Sequence, residues 1–280
     1  MKISVIFTTY NSPAWLEKVL WGFEQQSDKD FEVVIADDGS GSETRELIAR
    51  FQQSSALDLR HVWHEDNGFE KSLILNKAVV SARGDYLILT DGDCIPRQDF
   101  VAKHRSLSRP GYFLSGGYFK LPMGTSQLIS HADIQAQRCF DKRWLLANGV
   151  KNSHKLMKLT ANDWQAALYN RLTPTKRTWN GHNASCFKSD ALHVNGFDTR
   201  MKYGGQDCEF GDRLKNAGII ALQIRYSTIC VHLDHARGYA NEESWKRNNA
   251  IRKQSIEEKI VQTPSGIQQT DTSDVVVYAS

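Results

Sequence analysis

The alternation of strands and helices in the first hundred residues is the feature that most constrains the fold of this chain. Short β-branched apolar runs predict buried strands, and the segments between them carry apolar residues at helical spacing. Strands are predicted at 3–9, 31–37, 59–65 and 85–91, and helices at 13–26, 42–53 and 70–82. Such alternation implies right-handed crossovers and predicts an α/β fold with a mostly parallel central sheet flanked by helices.

The pattern loosens beyond residue 110. We expect a strand or hairpin at 112–121, helices within 125–170, a strand and then a helix at 183–192, a helix at 206–218, strands at 219–233, and a helix at 241–262. The predicted organisation is a single domain over residues 1–262, whose halves are 1–100 and 101–262. Residues 263–280 are predicted to form a loose polar tail, in which the apolar stretch "VVVYA" could dock.

The charge and cysteine content exclude several classes of protein. Lys and Arg number 35 against 32 acidic residues and are scattered, so nucleic acid is not the expected partner. The five cysteines form no CxxC pair, which argues against a disulfide framework or a zinc knuckle. The first apolar run is too short for a signal peptide, and no stretch approaches a membrane span. A cytoplasmic location is therefore expected, and peripheral membrane contact stays open.

An acidic pair follows the fourth predicted strand directly. Asp91 and Asp93 are separated by one glycine in "YLILTDGDCIP". Residues two apart in extended chain point the same way, so both carboxylates can converge on one spot. Such oxygen ligands suit Mg²⁺ or Mn²⁺. A polar Asp-Gly turn would account for the same letters, but parallel sheets bind ligands at this position.

Polar residues also follow the first two strands. Asp37 and Asp38 could accept hydrogen bonds from a base or ribose, and Tyr10 and Asn11 could stack on or bond a ring. Turn formation and helix capping are the alternative interpretations. The chain has neither GxGxxG nor GxxxxGK[ST], so a bound diphosphate must be held by a metal ion and side chains.

Four segments together resemble the inverting family 2 glycosyltransferases, which have the GT-A fold. They are "VIFTTYNSPAWLEKVLWGFEQQ", "FEVVIADDGS", "NGFEKSLILNKAVVSARGDYLILTDGDCIP" and "GGQDCEFGDRL". The second half, with "WNGHNASCFKSDALHVNGFD", is similar to galactosyltransferase-type enzymes. The resemblance implies metal-dependent transfer of a hexose from a UDP-sugar to a hydroxyl of a saccharide or lipid-linked saccharide. It also implies that residues 1–100 bind the nucleotide sugar and that 101–262 bind the acceptor and supply the base.

The resemblance assigns roles on the donor side of the site. Asp93 would bind Mn²⁺ or Mg²⁺ directly, with Asp91 nearer the ribose and a metal-bound water. His232 would complete the metal site, with His235 as the alternative. Asp38 would bond the uracil and Asp37 would support its loop. The remaining donor-binding positions are Thr8, Tyr10, Asn11, Lys71 and Asn76.

The resemblance makes Asp207 the general base. It follows two glycines and opens a predicted helix, where the helix dipole favours an ionised carboxylate. A first-turn helix acid is the alternative interpretation. The acceptor-binding positions are Trp179, Asn183, Tyr203, Gly205 and Gln206. Tyr203 and Gln206 replace the tryptophan and glutamate of the galactosyltransferase pattern, which puts the acceptor's identity in doubt.

Two other functions fit parts of the pattern. A sugar-phosphate nucleotidyltransferase also combines an α/β sheet with Mg²⁺, but it has a glycine- and lysine-rich loop where this chain has "TTYNSPAW". An inactive nucleotide-sugar-binding protein would need no base at residue 207.

Overall fold

The computed structural model describes residues 1–235, 242–272 and 276–279. The strands are β1 (Ile3–Thr9), β2 (Phe31–Asp37), β3 (Asp58–Trp63), β4 (Tyr86–Asp91), β5 (Cys94–Pro96), β6 (Tyr112–Ser115), β7 (Gly117–Lys120), β8 (Ala184–Phe187), β9 (Ile220–Gln223), β10 (Ile229–His232) and β11 (Val276–Ala279). The helices are α1 (Pro13–Glu24), α2 (Ser42–Ser54), α3 (Lys71–Ser81), α4 (Phe100–Leu107), α5 (Met123–Leu128), α6 (His131–Gln135), α7 (Lys142–Ala147), α8 (Met157–Thr160), α9 (Asp163–Leu172), α10 (Lys188–His193), α11 (Gln206–Asn216) and α12 (Glu242–Glu257).

One large sheet forms the centre of the molecule, in the order β11-β3-β2-β1-β4-β8-β6-β9. The strands β3, β2, β1 and β4 are parallel, which confirms the mostly parallel sheet predicted from the first hundred residues. Strands from residues 101–262 extend the same sheet, where β8 runs antiparallel to both β4 and β6.

A smaller sheet, in the order β5-β10-β7, lies beside the end of β4. The region predicted as a strand or hairpin at 112–121 forms β6 and β7, but these strands belong to different sheets, so the hairpin alternative is wrong. Two glycines make the crossing between the sheets. A Cβ on Gly116 would lie 2.0 Å from the Asn183 side chain, and one on Gly117 would lie 2.2 Å from the Arg225 carbonyl oxygen. Only glycine fits so close to those atoms.

Two apolar cores cover the faces of the large sheet. One face packs against α1 and α2, and α1 contributes Leu16, Val19, Leu20 and Phe23 at helical spacing. The other packs against α3 and α11, through residues such as Ile74 and Phe210. Within the ranges described above, no helix is both long enough and apolar enough to cross a bilayer.

The expectation of a loose C-terminal tail is wrong for the residues that the structure describes. The Thr263 hydroxyl donates to Asp198 at 2.8 Å, and Asn195 donates to Gln269 at 2.9 Å. The strand β11 pairs antiparallel with β3, which places Val277 beside Val62. The outer edge of β3 offers unpaired backbone groups and a half-buried strand, which explains why an apolar segment docks there.

Candidate active site

A cleft of about 660 Å³ opens at the carboxyl ends of β1 and β4. Twelve of the residues predicted for the site line it: Thr8, Tyr10, Asn11, Asp38, Lys71, Asp91, Asp93, Tyr203, Gly205, Gln206, Asp207 and His232. His235, the alternative histidine, lines it as well. Residues far apart in sequence therefore face one space, as the rule for the carboxyl edge of parallel sheets predicts.

The turn at the end of β4 requires the glycine between its two acids. Thr8 on β1 lies beside Asp91 on β4, and the Gly92 N–H donates to the Thr8 carbonyl at 2.9 Å. A Cβ on Gly92 would come within 2.6 Å of that carbonyl oxygen. The close approach of the two backbones holds Asp91 and Asp93 on either side of the glycine at the edge of the cleft.

The pairing of β10 with β5 brings two histidines to Asp93. His232 lies opposite Cys94 in the ladder, and the Leu233 N–H donates to the Asp93 carbonyl at 2.9 Å. The Asp93 Oδ2 atom lies 3.1 Å from His235 Nε2 and 3.8 Å from His232 Nε2. Both imidazoles and one carboxylate therefore converge on the same corner of the cleft.

The donor atoms at this corner fit a divalent cation. His232 Nδ1 lies 2.7 Å from the Leu233 carbonyl, which can only accept a hydrogen bond. In the neutral ring this leaves the Nε2 lone pair directed to the Asp93 side, the arrangement by which a backbone carbonyl orients metal-binding histidines. The Cys94 sulfur also lies nearby, but burial raises the pKa of this thiol well above its usual range. The fitting ligands are thus Asp93, His232 and His235.

Asp91 has a different partner. Lys71 Nζ donates to Asp91 Oδ1 at 2.7 Å, and the Thr8 hydroxyl lies 3.5 Å from the same oxygen. Burial raises the pKa of Asp91, but the charge of Lys71 outweighs that effect, so the net pKa lies below the ordinary value. Asp91 is ionised and paired, which leaves Asp93 as the acid better placed for a direct metal bond.

Asp38 lines another part of the cleft. Its two carboxylate oxygens accept hydrogen bonds from His64 Nε2 and the Glu70 N–H, each at 2.9 Å. Burial raises the pKa of Asp38, and the bond from His64 partly opposes the rise. The carboxylate is 6% exposed and faces the cleft in this fixed orientation. Tyr10 is 49% exposed beside it, and its hydroxyl donates to Asp66 at 2.8 Å.

Asp207 lies in the first turn of α11, after two glycines in the left-handed conformation. Gly204 has φ 105° and Gly205 has φ 84°. The Asp207 carboxylate packs against Gly181, where a Cβ would lie 2.7 Å from Oδ2. Burial raises the pKa of Asp207, Lys71 opposes this, and the net pKa lies above the ordinary value. In the described part of the chain, Asp207 Oδ1 is buried without a hydrogen-bond partner. A buried, unpartnered acceptor atom at a cleft is suited to a ligand hydroxyl.

Aromatic residues surround Asp207, and the sequence pattern did not reveal all of them. Tyr203 packs edge to face with Phe69 at 5.8 Å and with Trp245 at 6.3 Å between ring centroids. Trp245 also packs so close to Gly204 that a Cβ there would lie 2.9 Å from the indole. Trp245 lies on α12, a segment for which the sequence predicts a helix but no part in the site. In the sequence, the tryptophan among the charged residues of this segment was the one indication that the helix could contact the site.

Tyr118 and His182 form a further part of the wall. Their rings meet edge to face at 4.2 Å, and both line the cleft. Burial lowers the pKa of His182 to about 3, so its ring stays neutral. A neutral imidazole beside an aromatic ring can exchange hydrogen bonds with sugar hydroxyls.

Four predicted site residues lie outside the cleft lining, where direct contact with a substrate is not available. Asp37 is fully buried and accepts from the Ser40 N–H and His61, so it supports the loop after β2. Asn76 exchanges hydrogen bonds with the Phe197 backbone. Asn183 bonds His104 and the Gly117 carbonyl. Trp179 lies in the core against Phe210.

Gln206 reaches the cleft but mainly stabilises the loop before α11. Its side chain is 5% exposed, and Oε1 accepts from the Gly204 N–H at 2.8 Å. Trp179 and Asn183 were predicted to contact the acceptor, and this prediction is corrected. Apolar packing and internal hydrogen bonds occupy their side chains, so both residues have structural roles. Tyr203 and Gly205 remain at the surface of the cleft.

Known proteins with the same sequence pattern and fold are glycosyltransferases. Residues 4–108 match the family Glycosyl transferase family 2. Uncharacterized glycosyltransferase YfnE of Bacillus subtilis is 27% identical over 279 residues, which cover 89% of this chain and 69% of that protein. The structure also resembles Mannosyltransferase PcManGT from Pyrobaculum calidifontis in complex with GDP-Man and Mn²⁺. That similarity has a TM-score of 0.56 and 20% identity, and it covers 94% of this chain and 65% of the other.

A third similarity is to GalNAc-T7 with UDP, GalNAc and Mn²⁺, with a TM-score of 0.61 and 13% identity. It covers 90% of this chain and 48% of GalNAc-T7, so the chain spans less than two thirds of either matched structure. These similarities show that the chain has the GT-A fold of glycosyltransferases. The match over residues 4–108 and the similarity to YfnE support the predicted family and the enzyme class, glycosyltransferase.

Proposed function

We propose that this enzyme transfers a hexose from a UDP-sugar to a hydroxyl of a saccharide or lipid-linked saccharide, with metal dependence and inversion at the anomeric carbon. The observation that carries the proposal is the pairing of two functional groups across one cleft. Asp93 and its two histidines line this cleft, and Asp207, whose Oδ1 atom has no hydrogen-bond partner among the described residues, lines the same cleft. A base and a leaving-group site that share one cleft are what an inverting displacement requires.

Asp207 is the general base of the proposed mechanism. It takes the proton of the acceptor hydroxyl while that oxygen attacks the anomeric carbon. Burial raises its pKa, so its ionised form is a stronger base than an ordinary aspartate, and the charge of Lys71 opposes that rise. The aromatic rings of Tyr203 and Trp245 would stack on the acceptor sugar and direct its hydroxyl towards Asp207.

Asp93, His232 and His235 would hold a divalent cation, for which Mn²⁺ and Mg²⁺ are both candidates. Bound there, the ion would act as a Lewis acid towards the departing diphosphate. Lys71 adds a fixed positive charge on the same side of the cleft. The protein PcManGT is described with GDP-Man and Mn²⁺ and GalNAc-T7 with UDP and Mn²⁺, which supports a metal-bound donor here.

The position of Asp38 supports a donor whose nucleobase has an N–H group on its hydrogen-bonding edge. Its carboxylate is fixed by His64 and Glu70, and a uracil N3–H can donate to the remaining lone pairs. Tyr10 lies beside it with an exposed ring on which a base can stack. Guanine also presents an N–H donor, so direct competition between UDP and GDP decides between the two nucleotides.

Two single substitutions test the assignment of base and metal ligand. Asp207→Asn should lower kcat by about 10²-fold or more, because an amide cannot accept the proton, while UDP affinity in the presence of Mn²⁺ stays within about twofold. Asp93→Ala should instead remove the metal-dependent part of UDP affinity, measured by calorimetry with and without Mn²⁺.

Asp85→Asn is the matched control, since Asp85 is exposed at the opposite end of β4. It should leave both kcat and UDP affinity unchanged. The stereochemistry is read from the anomeric NMR signal of the first product formed. A retained configuration, or an Asp207→Asn variant with wild-type turnover, would refute the proposed mechanism.

A further inference from the structure

The helix α9 carries its apolar residues on the side that faces away from the protein. Trp164 is 66% exposed, Leu168 is 41% exposed and Leu172 is 67% exposed. Ala167 and Arg171 are exposed as well, so the outward positions follow the i, i+3, i+4, i+7, i+8 pattern of an amphipathic helix. In a monomer this pattern normally faces the core, as it does in α1.

The inward side of α9 is the more polar one. Asn170 accepts from the Tyr226 N–H at 2.8 Å and donates to Ser227 at 2.9 Å. The Tyr169 ring packs edge to face on Tyr226 at 5.3 Å. These contacts fix the rotation of the helix about its axis, so the fold itself keeps the apolar stripe exposed.

The residues around this stripe are strongly basic. Residues 151–177 contain six Lys or Arg and one acidic residue, Asp163, whereas the whole chain has 35 Lys or Arg against 32 acidic residues. Asp163 is paired with Lys103 at 2.6 Å, which reduces its opposition to the basic residues. Five of the six cationic residues are exposed; Lys158 is the exception.

We propose that α9 and its basic flanks dock the enzyme on an anionic lipid surface. An amphipathic helix with Trp and Leu on one side and Lys and Arg around it is the composition of an interfacial membrane helix. Each Lys or Arg near an anionic leaflet adds to the binding, and the apolar residues insert at the level of the head groups. Self-association through this face is disfavoured, because a twofold contact would bring the two basic segments together.

The docking face is linked to the wall of the cleft. Lys158, on the helix α8 just before α9, donates to the Tyr118 carbonyl at 3.1 Å, and the Tyr118 side chain lines the cleft. Lipid contact at α9 would therefore hold the side of the cleft that Tyr118 lines close to the membrane, where the sugar of a lipid-linked acceptor lies. The docking is independent of the proposed function, whereas this orientation towards a lipid-linked acceptor rests on it.

Vesicle flotation of the purified full chain tests the docking. The enzyme should float with vesicles of phosphatidylcholine mixed with phosphatidylglycerol, and at least about tenfold less with phosphatidylcholine alone. Binding should fall steeply at about 1 M salt, where the Debye length is about 3 Å. Lys176→Gln with Arg177→Gln should weaken binding by about 25-fold, given the roughly fivefold effect of each cation at such a surface.

The apolar stripe is tested by Trp164→Ser, Leu168→Ser and Leu172→Ser combined, which should abolish flotation. The control replaces three exposed apolar residues elsewhere on the surface: Val80, Leu192 and Ile220. Circular dichroism and Tm measurements show whether both triple variants are folded. If the α9 triple variant is unfolded, the single Trp164→Ser variant decides the test, and it should lower the bound fraction severalfold.

Equal flotation with neutral vesicles would overturn the proposal, and so would unchanged binding by the α9 variants. A dimer that the α9 substitutions dissociate, seen by light scattering without vesicle binding, would assign the face to a second copy instead. Vesicle binding does not depend on catalysis, so an enzyme inactive with every UDP-sugar would leave this result intact.

Discussion

At the scale of single residues, the site depends on the positive charge of Lys71, which lies among three carboxylates. Lys71 contacts Asp91 directly, and its charge also acts on Asp207 and Asp93. Burial lowers the pKa of Lys71, but the three acids outweigh that effect, so the net pKa is raised and the amine stays charged. Its position allows two acids with different tasks, a paired Asp91 and a basic Asp207, to exist in one cleft.

The raised pKa of Asp207 predicts the acidic limb of the pH profile. A general base works when deprotonated, so activity should fall as the pH falls through the raised pKa of Asp207. The limb of kcat/KM should therefore lie above the pKa of about 3.9 that an unperturbed aspartate shows. Initial rates at saturating Mn²⁺ across the pH range measure it, with metal affinity determined in parallel. A limb at or below the ordinary aspartate value would contradict the prediction.

Some site residues could be predicted from the sequence because chain order and strand ends determine their place. Asp38 follows β2 and Asp91 ends β4, two parallel strands that flank β1, so parallel packing brings them to one edge. Trp179 and Asn183 were misassigned because the same residue types stack on sugars in a cleft and fill space in a core. Only packing distinguishes the two, and the periodicity of one chain does not report packing between distant segments.

At the scale of elements, α11 connects the catalytic loop to the core. Its first turn carries Asp207, and a fully buried ion pair at 2.8 Å joins Glu209 of that turn to Arg213 of the last turn. Arg213 also donates to the Val194 and Gly196 carbonyls, and Ser255 of α12 donates to Glu209. The pair thus ties α11 to α12 and to the segment after α10, which fixes the helix that presents Asp207.

Arg213→Met should destabilise the protein by about 3–5 kcal/mol, because it leaves the Glu209 carboxylate buried without its partner. Lys215→Met on the same helix is the control, since Lys215 forms only a 3.4 Å pair with Asp212 near the surface and should cost less than about 1 kcal/mol. Urea unfolding followed by circular dichroism gives both values. Equal stability of the two variants would show that the buried pair does not hold α11.

Element boundaries in the first half were predictable, but the orientation of α9 was not. Apolar periodicity predicts that a helix has an apolar side, yet it does not say which surface meets that side. The contacts of Tyr169 and Asn170 with the β9–β10 connection decide the rotation. These partners lie more than 50 residues away in sequence, which is why only the folded structure reveals the exposed stripe.

At the scale of the whole molecule, both halves of the chain build one sheet and one cleft. The first half supplies β1 to β4 and the donor side, and the second half adds β8, β6 and β9 along with Asp207. The corner for the metal ion likewise needs β5 from one half and β10 from the other. Residues 1–100 and 101–262 therefore share an interior, so the stability of one half contributes to the geometry of the other.

The C-terminal segment closes this shared structure at the β3 edge, and two truncations separate its contributions. A chain that ends at residue 262 loses the buried hydrogen bond of Thr263 to Asp198 and that of Gln269 with Asn195. These are two of the hydrogen bonds that residues 263–269 make with residues 194–199, so at about 1 kcal/mol for each bond the unfolding free energy should fall by several kcal/mol and the Tm by at least about 5 °C. A chain that ends at residue 272 keeps these bonds and loses only β11, so its Tm should change less. It should self-associate more than the full chain, because the edge of β3 becomes free to pair. Calorimetry and light scattering distinguish the two effects; equal Tm values for both truncations would mean that the contacts of residues 263–272 do not stabilise the fold.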